Sequence, residues 1–342
     1  MKVSIIGATG YSGLELIRYL YNHPLVEIVS IHSQTEKQSI DSVYPYLKGL
    51  LSLSLEPIDV EKIMAQSDLV FLALPSGVSK DVAVPFVKSG FPVIDLSGDF
   101  RLREKGAYEQ WYKKKAKHYP LIDSFEYGLA EYRQDVSKPF IANPGCYATA
   151  AELSFAPLLQ EELVDLNSII IDGKSGLSGA GKALSQASHF TEANDNMSVY
   201  KMNEHQHIPE IVQQFQCWAP KLKGIQFTTS LIPVTRGIFM TSYGRLKNKL
   251  KTEELIYLYQ THYEKKPFVR VHEKNSYPVL KQIIGTNFCD IGLSVNEQTD
   301  IVTLVTVIDN LGKGAAGQAI QNLNLFSGFS ESEGLLQVPI YP

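Results

Sequence analysis

The run Gly7-Ala8-Thr9-Gly10-Tyr11-Ser12-Gly13 sits between a strand-like stretch, Val3 to Ile6, and a helix-like stretch, Ser12 to Tyr21. Glycines at this spacing permit a tight strand-to-helix turn and close backbone approach to a pyrophosphate. The phosphate then rests on the helix N-terminus, where N–H groups and the helix dipole favour anions. The spacing is GxxGxxG rather than GxGxxG, so the nucleotide reading takes its force from context as much as from the pattern. That context continues with Val26 to Ile31 as a strand and Val60 to Ala65 as a helix. Leu69 to Leu74 is a buried strand closed by Pro75-Ser76-Gly77, Val82 to Ser89 a helix, and Pro92 to Leu96 a strand. Repeated strand-helix-strand order predicts an α/β fold with a doubly wound parallel sheet and right-handed crossovers. The second strand ends in His32-Ser33-Gln34, where an acidic side chain usually accepts from a ribose hydroxyl. Its absence, with the Ser33 hydroxyl on offer, favours NADP over NAD, although Glu36 lies close by.

Beyond residue 145 the pattern changes. Ser168 to Asp172, Gln226 to Leu231, Gly237 to Tyr243 and Ile301 to Ile308 read as longer strands of a mixed sheet. Ala148 to Gln160, Thr252 to Tyr263 and Ala315 to Phe326 read as helices. A chain of 342 residues accommodates two domains. The expected division is a nucleotide-binding domain over 1–145 with the C-terminal segment 313–342, and a catalytic and oligomerisation domain over 146–312. No flexible linker marks the boundary.

A net charge of -4 without long basic blocks argues against a nucleic-acid partner. The one compact basic run, Lys113-Lys114-Lys115 beside Trp111 and Tyr112, reads as solvated surface. The longest apolar runs are strand-sized, which argues against a membrane span. The N-terminus enters a strand at once, without the apolar segment and cleavage site of a secretory signal. Three cysteines, Cys146, Cys217 and Cys289, with no CxxC pair, suit free thiols in a reducing cytoplasm. No cluster has zinc spacing, so no metal is expected.

Cys146 follows Asn143-Pro144-Gly145 and precedes a helical pattern. A thiol at a helix N-terminus feels the positive end of the dipole, which lowers its pKa, and the same N–H groups can hold an oxyanion. Cys146 is therefore the candidate nucleophile, whereas Cys217 and Cys289 lack this context and are assigned to the core. The richest titratable cluster is Asn203-Glu204-His205-Gln206-His207-Ile208-Pro209-Glu210-Ile211. On a strand, HxH would turn both rings to one face, but a third metal ligand is missing. His207 can instead take the Cys146 proton, with Glu210 orienting its ring. Lys174 to Lys182, small residues flanked by two cations, looks built for an anion. Arg101 and Arg236 suit bidentate carboxylate or phosphate recognition, and structural ion pairs fit them equally well.

Taken together the motifs resemble the N-acetyl-gamma-glutamyl-phosphate reductase family of semialdehyde dehydrogenases. The matching stretches are Gly7 to Gly13, Ala73 to Gly77, Asp95 to Arg101, Tyr127 to Glu131 and Asn143 to Thr149. They continue through Ser175 to Gly181, His205 to Glu210, Pro233 to Gly237 and Asp309 to Ala319, spanning essentially the whole chain. The resemblance implies a Rossmann domain and an α+β catalytic domain with a mixed sheet, similar to glyceraldehyde-3-phosphate dehydrogenase. It implies NADPH-dependent reduction of an acyl phosphate through a cysteine thioacyl intermediate, in arginine biosynthesis. The family nucleophile falls on Cys146 and the acid/base histidine on the His205/His207 pair, at His207. Cofactor contacts are expected from Gly7, Thr9, Gly10, Tyr11, Ser12, Gly13, Ser33, Pro75, Ser178, Gly179 and Asn310. Substrate contacts are expected from Arg101, Asn143, His205, Glu210 and Arg236, in a homo-oligomer, dimer or tetramer. Related acyl phosphates (succinyl-capped glutamyl, aspartyl or carrier-linked aminoadipyl) fit the same chemistry, and a nucleotide-sensing protein without catalysis fits the fold. Four positions depart from the family pattern: Ser76 for His, Gly98 for Ala, Ala148 for Pro and Lys182 for Arg.

Overall fold

The computed structural model describes residues 1–33, 38–115 and 119–341. Gln34 and Glu36, which bear on the cofactor reading, lie outside the described residues. The chain forms two compact units, Met1–Pro144 with Ala316–Leu335, and Gly145–Ala315 with the tail from Leu336.

In the first unit the elements run β1 (Lys2–Ile6), α1 (Tyr11–Leu20), β2 (Glu27–His32), α2 (Ile40–Val43), β3 (Leu55–Glu56), α3 (Val60–Gln66), β4 (Leu69–Leu72), α4 (Ser79–Lys88), β5 (Val93–Asp95), α5 (Ala107–Tyr112), β6 (Glu126–Tyr127) and β7 (Phe140–Ala142). The strands pair in the order β3-β2-β1-β4-β5-β7-β6, all parallel. The order reverses direction between β1 and β4, the switch point outside which ligands of such sheets bind. Gly7 is there because nothing larger fits. Its φ is 91°, and a Cβ would lie 2.3 Å from the Ala73 carbonyl oxygen. Gly13 is equally confined, its Cβ position lying 2.2 Å from the Gly7 oxygen. The His32 carbonyl accepts from Gly7 N at 2.9 Å and Ala8 N at 3.2 Å, tying the turn to the end of β2.

Apolar residues of β1, β4, α4 and β5 build one core around Ile6, Val70, Leu72, Phe86 and Ile122. Phe100 and Phe125 stack in it at 4.0 Å. A last helix, numbered below, returns to this unit through Asn322 and Asn324. Asn322 donates to Gly128 O at 2.7 Å, and Asn324 pairs with His23 Nε2 at 3.0 Å.

α4 begins three residues before the apolar pattern that announces it. Val78 offers no capping side chain. Asp99 caps from a distance instead, accepting from Gly77 N at 2.7 Å and Lys80 N at 2.9 Å. Beside it Asp95 is fully buried and accepts from Ser79 Oγ, from Ser97 Oγ at 2.7 Å and from Ser97 N at 3.2 Å.

The second unit contains α6 (Cys146–Gln160), β8 (Ile170–Ser175), α7 (Phe190–Ala193), β9 (Ser198–Tyr200), α8 (Ile208–Trp218), β10 (Gln226–Leu231), β11 (Ile238–Arg245), α9 (Thr252–Tyr263), β12 (Val269–Val271), β13 (Cys289–Asn296) and β14 (Ile301–Ile308). The helix α10 (Gly317–Ser327) belongs to the first unit. The second unit's sheet is mixed, in the order β12-β13-β14-β11-β8-β10-β9. Along β11, Ile238, Met240, Ser242 and Gly244 are buried while Tyr243 and Arg245 face out, the alternation of a sheet covered on one face. α6 is buried from Tyr147 through Leu159, as expected of a helix apolar all round, and packs on α8, β11 and β14.

One expectation changes, and two further features find their place. Cys217 is exposed on α8 rather than in the core, because its helix turns that face to solvent; its Sγ donates to Gln213 O at 3.4 Å. Cys289, on β13, is buried as expected. His205 and His207 lie on no strand: His207 is the residue before α8, whose Pro209 stands in the first turn where a missing N–H costs nothing. Residues 336–342 go with the second unit, where Ile340 N donates to Ile284 O at 2.9 Å. None of the described helices is long and apolar enough to cross a membrane, and no metal-ligating cluster occurs among the described residues.

Burial, then the neighbouring Asp99 carboxylate, raises the Asp95 pKa from 3.8 to about 6. A carboxyl whose pKa is higher folded than unfolded adds stability that is complete below about pH 4 and lost as pH rises through 6. Asp95→Asn therefore removes a pH-dependent contribution on the order of 3 kcal/mol, about two pKa shifts of 1.4 kcal/mol each. Denaturant unfolding of both proteins from pH 4 to 7 should show wild type losing that much more than the variant. Parallel curves would refute the assignment.

Candidate active site

Cys146 is the first residue of α6, and Gly145, extended at φ −72° and ψ 155°, is its N-cap without a capping side chain. The thiol is half-buried. Its backbone is fixed on two sides. Gly145 N donates at 2.7 Å to Oε1 of Glu210, a fully buried carboxylate in the first turn of α8. On the other side Gly314 lies so close that a Cβ there would stand 2.7 Å from the Cys146 Cβ. The long apolar helix thus delivers its N-terminal dipole to a sulfur whose position is set by two distant segments.

The next residue, Tyr147, is buried and carries the site toward the histidines. Its ring meets His205 edge-on at 5.4 Å and His207 at 6.2 Å, and the two imidazoles are 4.7 Å apart. His205 Nδ1 accepts from His207 N at 3.1 Å, which leaves its proton on Nε2. Burial, then the charge of His207, pulls the His205 pKa down to about 2, so this ring stays neutral. Burial raises the Tyr147 hydroxyl well above the usual phenol range and pushes Tyr200 up to about 12, so both remain protonated donors. Oε1 of Glu210, the residue expected to orient His207, accepts from the backbone beside the thiol.

Asp309, fully buried after β14, organises the rest of this unit's site. Its Oδ1 accepts from Leu311 N at 2.9 Å and Gly312 N at 3.2 Å, and its Oδ2 from Gly285 N at 2.6 Å. These bonds shape the π-turn Gly312–Ala316 that brings Gly314 against Cys146. Arg236, expected to meet an anion, pairs with Asp309 at 2.9 Å through one terminal nitrogen. Asn310 accepts from Gly237 N at 2.7 Å and donates to Ser178 Oγ at 3.0 Å. The cofactor-loop candidates Ser178, Gly179 and Asn310 therefore share one cluster. Gly179 leaves only 2.9 Å between its Cβ position and Ser175 Oγ.

In the first unit, Gly10 caps α1 without a side chain, and among the described residues the atom near its Cβ position is Gly7 O at 3.6 Å. Thr9, Tyr11 and Ser12 continue this turn, and Tyr44 holds it by donating to Thr9 O at 2.7 Å. Ser33 is buried directly after β2, and Pro75 begins the loop after β4. Arg101 is buried, with Nε donating to Asn143 O and one terminal nitrogen to Leu96 O, both at 2.8 Å. Asn143 Oδ1 accepts from Asn322 at 3.1 Å. Both residues thus brace the ends of β5 and β7. The sequence missed Tyr147, Gly314 and Asp309 as parts of the site. Only the buried-acid pattern Asp309-Asn310-Leu311-Gly312, a polar turn after an apolar strand, could have signalled the last.

Residues 2–138 match the family model described as "Semialdehyde dehydrogenase, NAD binding domain", and residues 146–310 that described as "Semialdehyde dehydrogenase, dimerisation domain". An N-acetyl-gamma-glutamyl-phosphate reductase from Listeria innocua is 55% identical over 343 residues, covering 100% of both chains. One from Streptococcus mutans is 53% identical over 342 residues, again 100% of both. Among solved structures, aspartate semialdehyde dehydrogenase II from Vibrio cholerae matches with a TM-score of 0.74. The match spans 96% of this chain and 98% of that one at 16% identity, a likeness of fold.

Gly314→Ala puts a methyl group into Cys146, with Asp309 O only 3.3 Å away on another side. Turnover should fall by about tenfold or more, the usual consequence of displacing a reacting atom by a fraction of an ångström to an ångström. NADPH affinity should stay within about twofold. Wild-type turnover in that variant would show that Gly314 does not set the thiol.

Proposed function

Because the chain belongs to the N-acetyl-gamma-glutamyl-phosphate reductase family of semialdehyde dehydrogenases, we propose that it reduces N-acetyl-gamma-glutamyl phosphate with NADPH. The products are N-acetylglutamate gamma-semialdehyde and phosphate, in arginine biosynthesis. The observation that carries this reading is Cys146 at the head of α6, held between Glu210-bound Gly145 and Gly314.

The glycine turn fits a dinucleotide: α1 has no side-chain cap, and among the described residues only Gly7 O comes within 4 Å of the Gly10 Cβ position, so its first backbone N–H groups are suited to a pyrophosphate. In the first unit Gly7, Thr9, Gly10, Tyr11, Ser12, Gly13, Ser33 and Pro75 are the proposed contacts. In the second they are Ser178, Gly179 and Asn310. The Ser33 hydroxyl after β2, with no carboxylate at that position, favours NADP over NAD.

His207 accepts the Cys146 proton, and the thiolate attacks the acyl carbon. The S–C bond forms as the bond to phosphate oxygen breaks, and His207 returns its proton to the departing phosphate. The α6 N-terminus holds the negative oxygen through this step. NADPH, when bound, supplies the hydride that reduces the thioester carbon. The resulting thiohemiacetal collapses as its C–S bond breaks, releasing aldehyde and restoring the Cys146 sulfur. His205, neutral throughout, stacks against this machinery without adding a positive charge that would resist protonation of His207. Arg101, Asn143, His205, Glu210 and Arg236 remain the proposed substrate set, Glu210 acting through Gly145 and Arg236 through Asp309. The small-molecule substrate leaves the enzyme as free aldehyde, and a reducing cytoplasm would keep the thiol active.

Cys146→Ser should abolish acyl-enzyme formation and lower kcat by about 1,000-fold or more while sparing NADPH binding. Phosphate-dependent reduction of NADP by N-acetylglutamate semialdehyde, with aspartate semialdehyde as comparison, tests the substrate. Equal turnover of both, or activity without phosphate, would overturn it. A homo-oligomer is also proposed, supported by the dimerisation-domain match and by Ile170 and Tyr243 exposed on the sheet. Sedimentation equilibrium should give at least twice the 38.1 kDa chain mass, and a monomer would refute it.

A further inference from the structure

The tripeptide Pro75-Ser76-Gly77 leaves β4 at the carboxyl edge of the parallel sheet, beside the switch point where such sheets bind their ligands. A segment from elsewhere in the first unit lies against it. After α5, Lys113 takes a left-handed φ of 55°, turning the chain so that the Lys114 ammonium donates to Ser76 O. The Lys114 stem runs along Gly77, whose Cβ position is 2.8 Å from Lys114 Cδ. Lys80 Nζ holds the following residue through Lys115 O.

Tyr112 anchors this arrangement. Its ring stacks on Tyr108 at 4.8 Å, and Tyr108 donates at 2.7 Å to Asp99, the carboxylate that also binds Gly77 N. The Tyr112 hydroxyl sits 2.0 Å from where a Cβ at residue 98 would be. Any side chain at 98 would therefore expel it. Gly98 N in turn donates to Ser76 Oγ at 3.0 Å. Ser76, Gly98, Tyr112 and Lys114 form one interlocked set.

We propose that Lys114 is a phosphate-contacting residue of the nucleotide crevice and that Tyr112, seated in the space left by Gly98, is the positioning residue that brings it there. An ammonium carries three donors, of which one is committed to Ser76 O, and its compact charge suits a phosphate oxygen. The nearest acidic group on the loop, Asp99, is engaged by Gly77 N, Lys80 N and Tyr108. Two phosphate sources are available under the reading above, the dinucleotide and the phosphate exchanged with the acyl group.

The test uses equilibrium binding to the full-length protein, which requires no turnover: NADPH by fluorescence titration, and inorganic phosphate by calorimetry with NADP present. Lys114→Ala should weaken one of the two by about tenfold, the scale of a lost charge-assisted hydrogen bond, and Lys114→Arg should recover most of it. The KM for that same ligand should rise in parallel while kcat stays within about twofold. Weakening of NADPH assigns the contact to the dinucleotide, and weakening of phosphate assigns it to the exchanged group. Gly98→Ala should reproduce the Lys114→Ala loss, and the double variant should be no weaker than Lys114→Ala alone. Tyr112→Leu gives the same reading should Gly98→Ala fold poorly. Lys88→Ala, an exposed lysine in the last turn of α4, should bind both ligands like wild type. Lys114→Ala binding both ligands within about twofold of wild type would overturn the proposal, and additive losses in the double variant would remove Tyr112 from it. A protein that binds NADPH yet reduces no acyl phosphate would sink the proposed reaction while leaving the Lys114 comparison intact.

Discussion

The bond from Gly145 N to Glu210 fixes where a helix begins, and a helix that begins one residue later is a different catalyst. The first N–H groups of α6 have no intrahelical partner, and Gly145 has no side chain to supply one. A carboxylate from the first turn of another helix takes that place, fully buried and therefore strong. Removing it would leave a buried N–H with nothing to accept it, at a cost of about 1–3 kcal/mol.

Buried carboxylates recur as clamps on turns in both units. Asp99 holds Gly77 and Lys80 at the entry to α4, and Glu126 holds Gln134 N and Asp135 N, both at 2.9 Å. Asp309 gathers Gly285, Leu311 and Gly312 and neutralises its charge with Arg236. In each case a buried acid accepts from backbone N–H groups of a turn. Glycine-rich turns approach ligands closely, but they pay more backbone entropy than any other kind of segment. A buried acid restores order without filling the space the ligand needs. Arg236 and Arg101 serve the same end with the opposite charge, the latter donating to two carbonyls at strand ends.

Local chemistry was largely legible in the sequence. The glycine turn, the alternation that builds the parallel sheet, the buried α6 and Cys146 at its head all follow from short-range pattern. What escaped was set by contacts over long sequence distances. The start of α4 depends on Asp99, the placement of Cys146 on Gly314, and the turn at His205 and His207 on Pro209 opening a helix. Cys217 was misplaced because hydrophobic neighbours, Phe215 and Trp218, suggest burial while helical geometry sends residue 217 to the other side. Arg236 illustrates the converse: its residue type fits an anion, and only the fold could reveal that the anion is Asp309.

Tyr147 and Tyr200, both close enough to Cys146 to feel its charge, and His205 beside Tyr147 are neutral groups. His205 is held neutral by burial, and the hydroxyls of Tyr147 and Tyr200 stay protonated. An apolar aromatic wall of Tyr147, Phe227 and His205 would by itself raise a thiol's pKa by penalising the thiolate. Against that stands the N-terminus of a fifteen-residue helix whose first residue carries the sulfur. A low-dielectric wall strengthens this interaction because water does not screen it. The same wall that penalises the thiolate therefore sharpens the field that stabilises it, and a negative oxygen developing on a bound acyl carbon would meet the first N–H groups of that helix in turn. Under the proposed reaction His207 has only to move the proton, and a neutral neighbour such as His205 opposes its protonation less than a charged one would.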